Sequence, residues 1–315
     1  MKPIAVVIPY YQNDGFLLSR CINSIFSQTI ESDIKVIIVD DESPFPADKA
    51  LQGVTPPKNI SVEILKQSNA GPAFARNKAL KSIHSDISFV AFLDSDDYWT
   101  QDHLKRAIAA LGSNFDFYFC DRIVEDEEIS LFNKHDFITS AKHSEGSAPG
   151  FLTINHEEFQ ETIIKGYVTT STVVFRHQPF KDLLFPTQFC RFGEDQFLWL
   201  KMAAVAKKAV YSTGVGVIYG KGVSIYSDQS FGTKKDFLRL KDEILFRKKF
   251  LSEFSEHRKS CELMKSRLHL ARKNISWNIL HRLRRGGLAS FLQLTIADPV
   301  SLFYITKSAI KKTIN

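Results

Sequence analysis

The sequence predicts an α/β protein: a doubly wound, mostly parallel sheet with a C-terminal helical extension. Three observations carry this. Strand and helix patterns alternate through residues 1–120, the strand patterns are apolar on both faces, and the chain becomes helical and charged from Lys234 onward. Residues 4–8, 34–39, 62–65, 87–93 and 115–119 are short runs rich in β-branched and aromatic side chains, which suit a buried, pleated surface. Between them, Leu18, Cys21, Ile22, Ile25 and later Leu104, Ala107, Ile108, Leu111 fall on one side of a 3.6-residue period. Asn69-Ala-Gly-Pro72 reads as a turn feeding a helix, with Pro72 in its first turn. A second block is strand-like at 170–175, helical through Trp199, Met202, Ala203 and Ala206, and strand-like at 209–212. The polar stretch 125–150 between the blocks reads as a long connection.

At 315 residues the chain can bury one large core, or one domain and an appendage. Its 44% apolar and 24% charged residues exclude global disorder. The net charge of +6 is uneven: from Arg272 onward eight Lys/Arg face one acid, Asp298, and the rest is close to neutral. That distribution argues against nucleic acid as a partner of the body and for a tail that meets something anionic. Cys21, Cys120, Cys190 and Cys261 are widely spaced, with no metal-binding pairing, and read as buried or idle thiols of a reducing compartment. The apolar run 4–8 is too short for a signal-peptide core, and no run of about 18 apolar residues could span a bilayer. The expected location is the cytoplasm.

The residues that carry chemistry gather at strand ends, and open α/β sheets bind ligands outside the carboxyl ends of their strands. Run 89–93 enters Asp94-Ser95-Asp96-Asp97 directly. Three carboxylates in four residues repel one another unless a cation or hydrogen-bond donors offset them. A Mg²⁺-like ion commonly takes one or two carboxylates plus substrate phosphates, so this turn suits a metal bridging a diphosphate. The competing reading is a solvated acidic turn capping the next helix, and the strand-end position favours the metal. Asp40-Asp41, after run 34–39, fits a turn or a ligand contact. Arg76 lies on the helix after Gly71, where it can meet a phosphate or base or merely the solvent. Glu194 and Asp195 precede a helix, where they can complement its dipole or supply a general base.

Val7-Ile-Pro-Tyr-Tyr11, Val39-Asp-Asp-Glu-Ser43, Asn69-Ala-Gly-Pro with Ala75-Arg-Asn77, Phe92-Leu-Asp-Ser-Asp-Asp97 and Gly193-Glu-Asp195 resemble, in order and spacing, the motifs of the family 2 glycosyltransferases. The resemblance covers roughly residues 3–220. It implies the GT-A fold, inversion at the anomeric carbon, and a nucleoside-diphosphate sugar donor, a UDP-sugar being the usual one, with Mn²⁺ or Mg²⁺. By the family pattern Pro9 and Tyr11 line the base pocket, Asp41 contacts the base and Arg76 lies by the nucleotide. Asp94 and Ser95 lie in the donor site, Asp96 binds the metal and Asp195 is the base, with Glu194 as second candidate. Pro9-Tyr-Tyr-Gln-Asn13 carries Gln12 where the commoner pattern has the Asn directly, which leaves the role of Asn13 open. On this basis residues 1–225 form the catalytic domain, with a nucleotide-binding half (1–120) and an acceptor half (121–225). Residues 226–315 form a basic helical extension.

The implied acceptor is a lipid-linked glycan in surface-polysaccharide synthesis such as O-antigen or capsule. A sugar nucleotidyltransferase would share the architecture but lacks its Gly-rich loop here, since residues 8–20 hold only Gly15. A non-catalytic scaffold that binds nucleotide-sugar is the other alternative. In the tail, Asp298-Pro299 splits the apolar residues of 287–310 into two short helices. Two readings stay open. They pack on the catalytic domain or on a second subunit of a homo-oligomer, or residues 282–315 lie on an anionic membrane at the inner face of the cell.

Overall fold

Each of the five apolar runs contributes a strand to the computed structural model, which describes residues 2–112, 114–137, 144–145, 150–189, 191–206, 208–222 and 230–314. The chain alternates β1 (Ile4–Tyr10), α1 (Phe16–Phe26), β2 (Ile34–Asp40), α2 (Ala47–Ala50), β3 (Ile60–Lys66), α3 (Pro72–Ser82) and β4 (Phe89–Phe92). The buried face of α1 is Leu18, Cys21, Ile22 and Ile25, the predicted period. Pro72 opens α3, where its missing N–H would have had no partner within the helix. After β4 come β5 (Tyr98–Trp99), α4 (His103–Leu111), β6 (Phe117–Val124), α5 (Leu131–Lys134), β7 (Ser144–Glu145) and β8 (Phe151–Ile154). They are followed by α6 (His156–Lys165), a 3₁₀ turn at Thr170–Thr172, β9 (Val174–Arg176), α7 (His177–Phe180), α8 (Glu194–Val205) and β10 (Ala209–Tyr219).

These strands form one sheet in the order β3-β2-β1-β4-β9-β6-β10-β8-β7, with β5 pairing to β10. Strands β1 to β4, β6, β7 and β10 run one way; β5, β8 and β9 run the other. The mostly parallel expectation therefore holds, and its main exception is placed mid-sheet: β9 enters antiparallel between β4 and β6. The strand expected at 170–175 is thus half a tight turn and half a three-residue strand.

The stretch 125–150, read from its polarity as a connection, holds α5 and β7. Ser130 caps α5 by accepting from Asn133 N, and Phe132 is buried with its ring centroid 6.0 Å from that of Tyr211. A few aromatic residues in a polar run carry no period, so polarity alone concealed the element. Residues 138–143 and 146–149 lie outside the described set.

The chain divides into two compact units, residues 1–185 with 198–223 and residues 186–197 with 224–315. The second is helical: α9 (Lys234–Glu253), α10 (Arg258–Leu283), α11 (Leu288–Ala297) and α12 (Ser301–Ile314). Its core is Phe237, Leu240, Ile244, Leu268, Ala271, Ile275, Ile279, Leu294 and Ile305. The two short tail helices expected around Asp298-Pro299 are α11 and α12. Asp298 does more than break a helix. It is fully buried, accepts from Arg272 Nε and Nη2 at 2.7 Å each and from Ser301 Oγ at 2.7 Å, and lies 3.2 Å from Lys248 Nζ. Arg272 and Arg282 are consequently not free tail cations: Arg282 donates to Gly232 O and Ser290 Oγ. Among the described residues no helix is long and apolar enough to cross a membrane. Cys21, Cys120 and Cys261 are free and buried, and Cys190 lies outside the described residues.

Candidate functional site

The sheet reverses direction of growth beside β1, because β2 and β3 add on one side and β4 on the other. Such a switch point leaves a crevice at the carboxyl ends of the two strands, where neither connection covers it. Pro9 and Tyr11 come from the end of β1 and Asp94 to Asp97 from the end of β4. Pro9 fits this strand for a specific reason. Val7 O accepts from Leu93 N, so Val7 and, two residues on, Pro9 face the β4 side. By that height β4 has turned away, and the missing N–H of Pro9 breaks no ladder bond. Tyr11 is exposed at the crevice.

The three carboxylates of the turn do three different things. Asp94 Oδ1 accepts from Arg76 Nη2 at 2.6 Å. The Arg76 guanidinium is buried, 5.3 Å from the centroid of Phe185. Asn77 holds that ring in place by bonding both Phe185 O and Phe185 N at 2.8 Å. Asp97 turns inward, where its carboxylate accepts from Ser171 Oγ at 2.6 Å and from Gly220 N at 3.1 Å. Burial, then the charges of Asp94 and Asp96, push its carboxyl well above the usual range. Asp96 keeps a partly exposed carboxylate, raised to about 6 chiefly by burial and next by the charge of Asp94. Its main chain is fixed instead: Arg20 Nη2 donates to Asp96 O at 3.2 Å while Arg20 Nη1 pairs with Glu125 at 2.5 Å. Ser95 is buried, and its Oγ accepts from Gln12 Nε2 at 3.2 Å across the crevice.

Gln12, the residue that departs from the commoner pattern, is a structural tie. Its N–H donates to Ser43 Oγ at 2.7 Å, and its carbonyl accepts from Ser43 Oγ at 2.9 Å and Phe45 N at 3.1 Å. Both carboxylates at the end of β2 are turn-formers. Asp40 accepts from Ser43 N and Ala47 N, each at 2.8 Å. Asp41 accepts from Gln67 Nε2 at 2.7 Å and from Ala70 N and Gly71 N at 2.8 Å. Asp41 thereby holds the turn that starts α3 and aims Arg76. Two carboxylate oxygens offer about four acceptor positions, and these bonds take three of them.

Glu194 and Asp195 open α8 and fall in the second unit. Asp195 Oδ1 accepts from Gln196 N at 2.7 Å. Gly193 has φ +82, and a Cβ there would stand 2.7 Å from the Phe246 ring, so only glycine allows this approach to the helix.

The site could hold a divalent cation in one way. Among the described residues no three His, Cys, Asp or Glu groups form a metal cage. Asp96, partly buried and repelled by Asp94, is the carboxylate of the turn that could take part in holding such an ion, and a cation beside it would relieve the repulsion that helps raise its carboxyl. Sequence reasoning missed Ser171, which accepts from Asp94 N at 3.1 Å while donating to Asp97, and whose carbonyl accepts from Trp99 Nε1 at 2.8 Å. It also missed Gly220 and Gly222. A Cβ on Gly220 would overlap Asp96 O, and one on Gly222 would overlap the Asp96 carboxylate. The signal was present: two glycines spaced by one residue at the end of a strand mark a close backbone approach.

The sequence model of the family described as Glycosyl transferase family 2 matches residues 5–184. Over 299 residues, 92% of each chain, the protein is 27% identical to the succinoglycan biosynthesis protein ExoW of Rhizobium meliloti (strain 1021). Among solved structures, residues 1–349 of S. aureus TarS in complex with UDP-GlcNAc match with a TM-score of 0.64 at 18% identity, over 88% of this chain and 81% of that one. The mannosyltransferase PcManGT from Pyrobaculum calidifontis, in complex with GDP-Man and Mn²⁺, matches with a TM-score of 0.59 at 16% identity, over 98% and 86%. At such identities the structural likeness speaks for the fold. Family match and fold agree: the chain belongs to glycosyltransferase family 2 and has the GT-A fold.

Proposed function

We propose that this glycosyltransferase moves a hexose or N-acetylhexosamine, with inversion, from a UDP-sugar to a hydroxyl of a lipid-linked glycan during surface-polysaccharide synthesis. The observation that carries the donor reading is the crevice between β1 and β4, where Asp96 and the Arg76–Asp94 pair lie together. The relatives support the product class. ExoW is named for succinoglycan biosynthesis, and S. aureus TarS for poly(ribitol-phosphate) β-N-acetylglucosaminyl transfer, although in sequence TarS matches over only 36% of this chain and 20% of its own.

In this reading Pro9 and Tyr11 border the base, and the spare acceptor position of Asp41 receives a base N–H. Arg76 lies by the nucleotide, and its pairing with Asp94 fixes the turn beside the ribose. Mn²⁺ or Mg²⁺ on Asp96, when bound, stabilises the charge that develops on the leaving diphosphate. Asp195 takes the proton of the acceptor hydroxyl as that oxygen bonds to the anomeric carbon. The bond from that carbon to the diphosphate breaks on the opposite side, so an α-linked donor gives a β-linked product. A base of this kind contributes about 10²–10⁴-fold. Residues 1–225 carry the chemistry, and the basic extension brings the enzyme to the inner face of an anionic membrane.

A thermal-shift and hydrolysis screen of UDP-, GDP- and dTDP-sugars with Mn²⁺ tests this. One UDP-sugar should raise the melting temperature and be hydrolysed slowly. Binding without hydrolysis or transfer would support a scaffold, and pyrophosphate release from a nucleotide triphosphate and a sugar phosphate would support a nucleotidyltransferase. A response to none of them overturns the donor site.

A further inference from the structure

Resting on the reading of the extension as the part that meets the membrane, we infer that its lipid-facing surface is one stripe formed by Leu288, Leu292, Ile296, Val300 and Phe303, and that an anionic phospholipid bilayer covers it. On α11, Leu294 and Ser290 face inward and are buried. Leu288, Leu292 and Ile296 follow at four-residue spacing on the opposite side, 59%, 53% and 84% exposed. Val300 continues the run between the helices at 51% and Phe303 on α12 at 65%, with Ile305 turned to the core. Single exposed apolar residues are ordinary, whereas five within sixteen residues, three of them on one face of α11, mark a contact surface.

The charges choose the occupant. Arg284 and Arg285 are exposed in the turn before α11, and Lys307 is exposed one turn beyond Phe303. After Glu262 the one acid in the sequence is Asp298, fully buried against Arg272 and Lys248. The stripe is therefore flanked by cations with no exposed acid among the described residues of these helices. A second copy of this face would set cation against cation, while lipid phosphates complement it. The helix α11, at ten residues about 15 Å long, is half the thickness of a bilayer core and suits lying in the headgroup plane.

The test is co-sedimentation of the full chain with phosphatidylcholine vesicles, with or without phosphatidylglycerol. Wild type should pellet with the anionic vesicles at low salt. Arg284→Gln/Arg285→Gln/Lys307→Gln should weaken binding about a hundred-fold, from about five-fold for each cation near the surface. Leu292→Gln/Ile296→Gln should weaken it at least ten-fold, and both variants should keep wild-type melting and donor hydrolysis, since none of these side chains belongs to the helical core. If wild type ignores anionic vesicles, the membrane reading fails along with the stripe. If wild type binds and Leu292→Gln/Ile296→Gln binds as well, the membrane reading survives and the stripe is wrong. A wild-type dimer in light scattering that the same variant converts to monomer, without vesicle binding, would assign the face to a second copy and overturn the proposal.

Discussion

Replacing Asp96 with asparagine should stabilise the ligand-free protein while destroying its response to metal and nucleotide. In the folded chain the carboxyl is held at about 6, against 3.8 for a free side chain, chiefly by burial and then by Asp94. That difference amounts to at most about 3 kcal/mol against the ionised form, lessened by water at its exposed side. The sign follows from proton binding. Between 3.8 and 6 the folded state holds a proton that the unfolded state has released, so stability falls as pH rises through this window. The penalty is absent below 3.8 and complete above 6. At pH 7.5 Asp96→Asn should therefore melt up to about 6 °C higher than wild type, taking about 2 °C per kcal/mol for a unit of this size. At pH 3.5 the two should coincide. Adding Mn²⁺ and UDP at about a hundred times their dissociation constant should raise wild type by about 2.7 kcal/mol and leave the variant where it was, closing the gap. Differential scanning fluorimetry at two pH values, with and without ligand, reads all four conditions. A variant that melts lower than ligand-free wild type at pH 7.5, or that gains as much from Mn²⁺ and UDP, refutes the reasoning.

Three further outcomes are expected. Asp195→Asn should lower kcat about 10²–10⁴-fold with UDP affinity unchanged by calorimetry, and Glu194→Gln should be milder; the reverse order in steady-state rates would move the base to Glu194. Gly222→Ala should push the Asp96 carboxylate from its place and cost about 10²-fold in kcat/KM, so an alanine variant with full activity would disprove the close approach. Asp298→Ala should strand Arg272 and Lys248 beside a buried void and cost about 3–5 kcal/mol in urea unfolding, and a loss below about 1 kcal/mol would show that the clasp is idle.

The strands were legible because parallel strands covered on both faces are nearly continuous apolar runs, as in Val6 to Ile8 and Val36 to Val39. The helix faces were legible for the same reason, and Leu18, Cys21, Ile22 and Ile25 are buried as their spacing required. The carboxylate turn stood out because three acids in four residues demand an explanation. What each acid does was hidden, since Asp94 and Asp97 differ only in partners brought from residues 76, 171 and 220. Distant pairing has no local signature. The reversed strand β9 escaped for a related reason: orientation is set by the route of the chain, and Val174 to Arg176 reads alike in either direction. Polar residues also misled in the tail, where Arg272 looked like a surface cation until Asp298 was found buried against it.

Because β9 fills the gap between β4 and β6, the order in which the protein is made matters. When residues up to about 165 have left the ribosome, β1 to β4 are complete, yet one side of β4 still lacks its neighbour. Every residue of that strand, Phe89 to Phe92, is buried in the finished protein. A growing chain thus carries a bare, wholly apolar edge for the time taken to add Val174 to Arg176, a template for joining to other chains. The same segment brings Ser171 to Asp94 and Asp97, so the carboxylate turn takes its final form only when that edge closes. A fragment ending before Thr170 should be both aggregation-prone and without a formed donor site, and expression of the nucleotide-binding half by itself should require a partner strand supplied in trans.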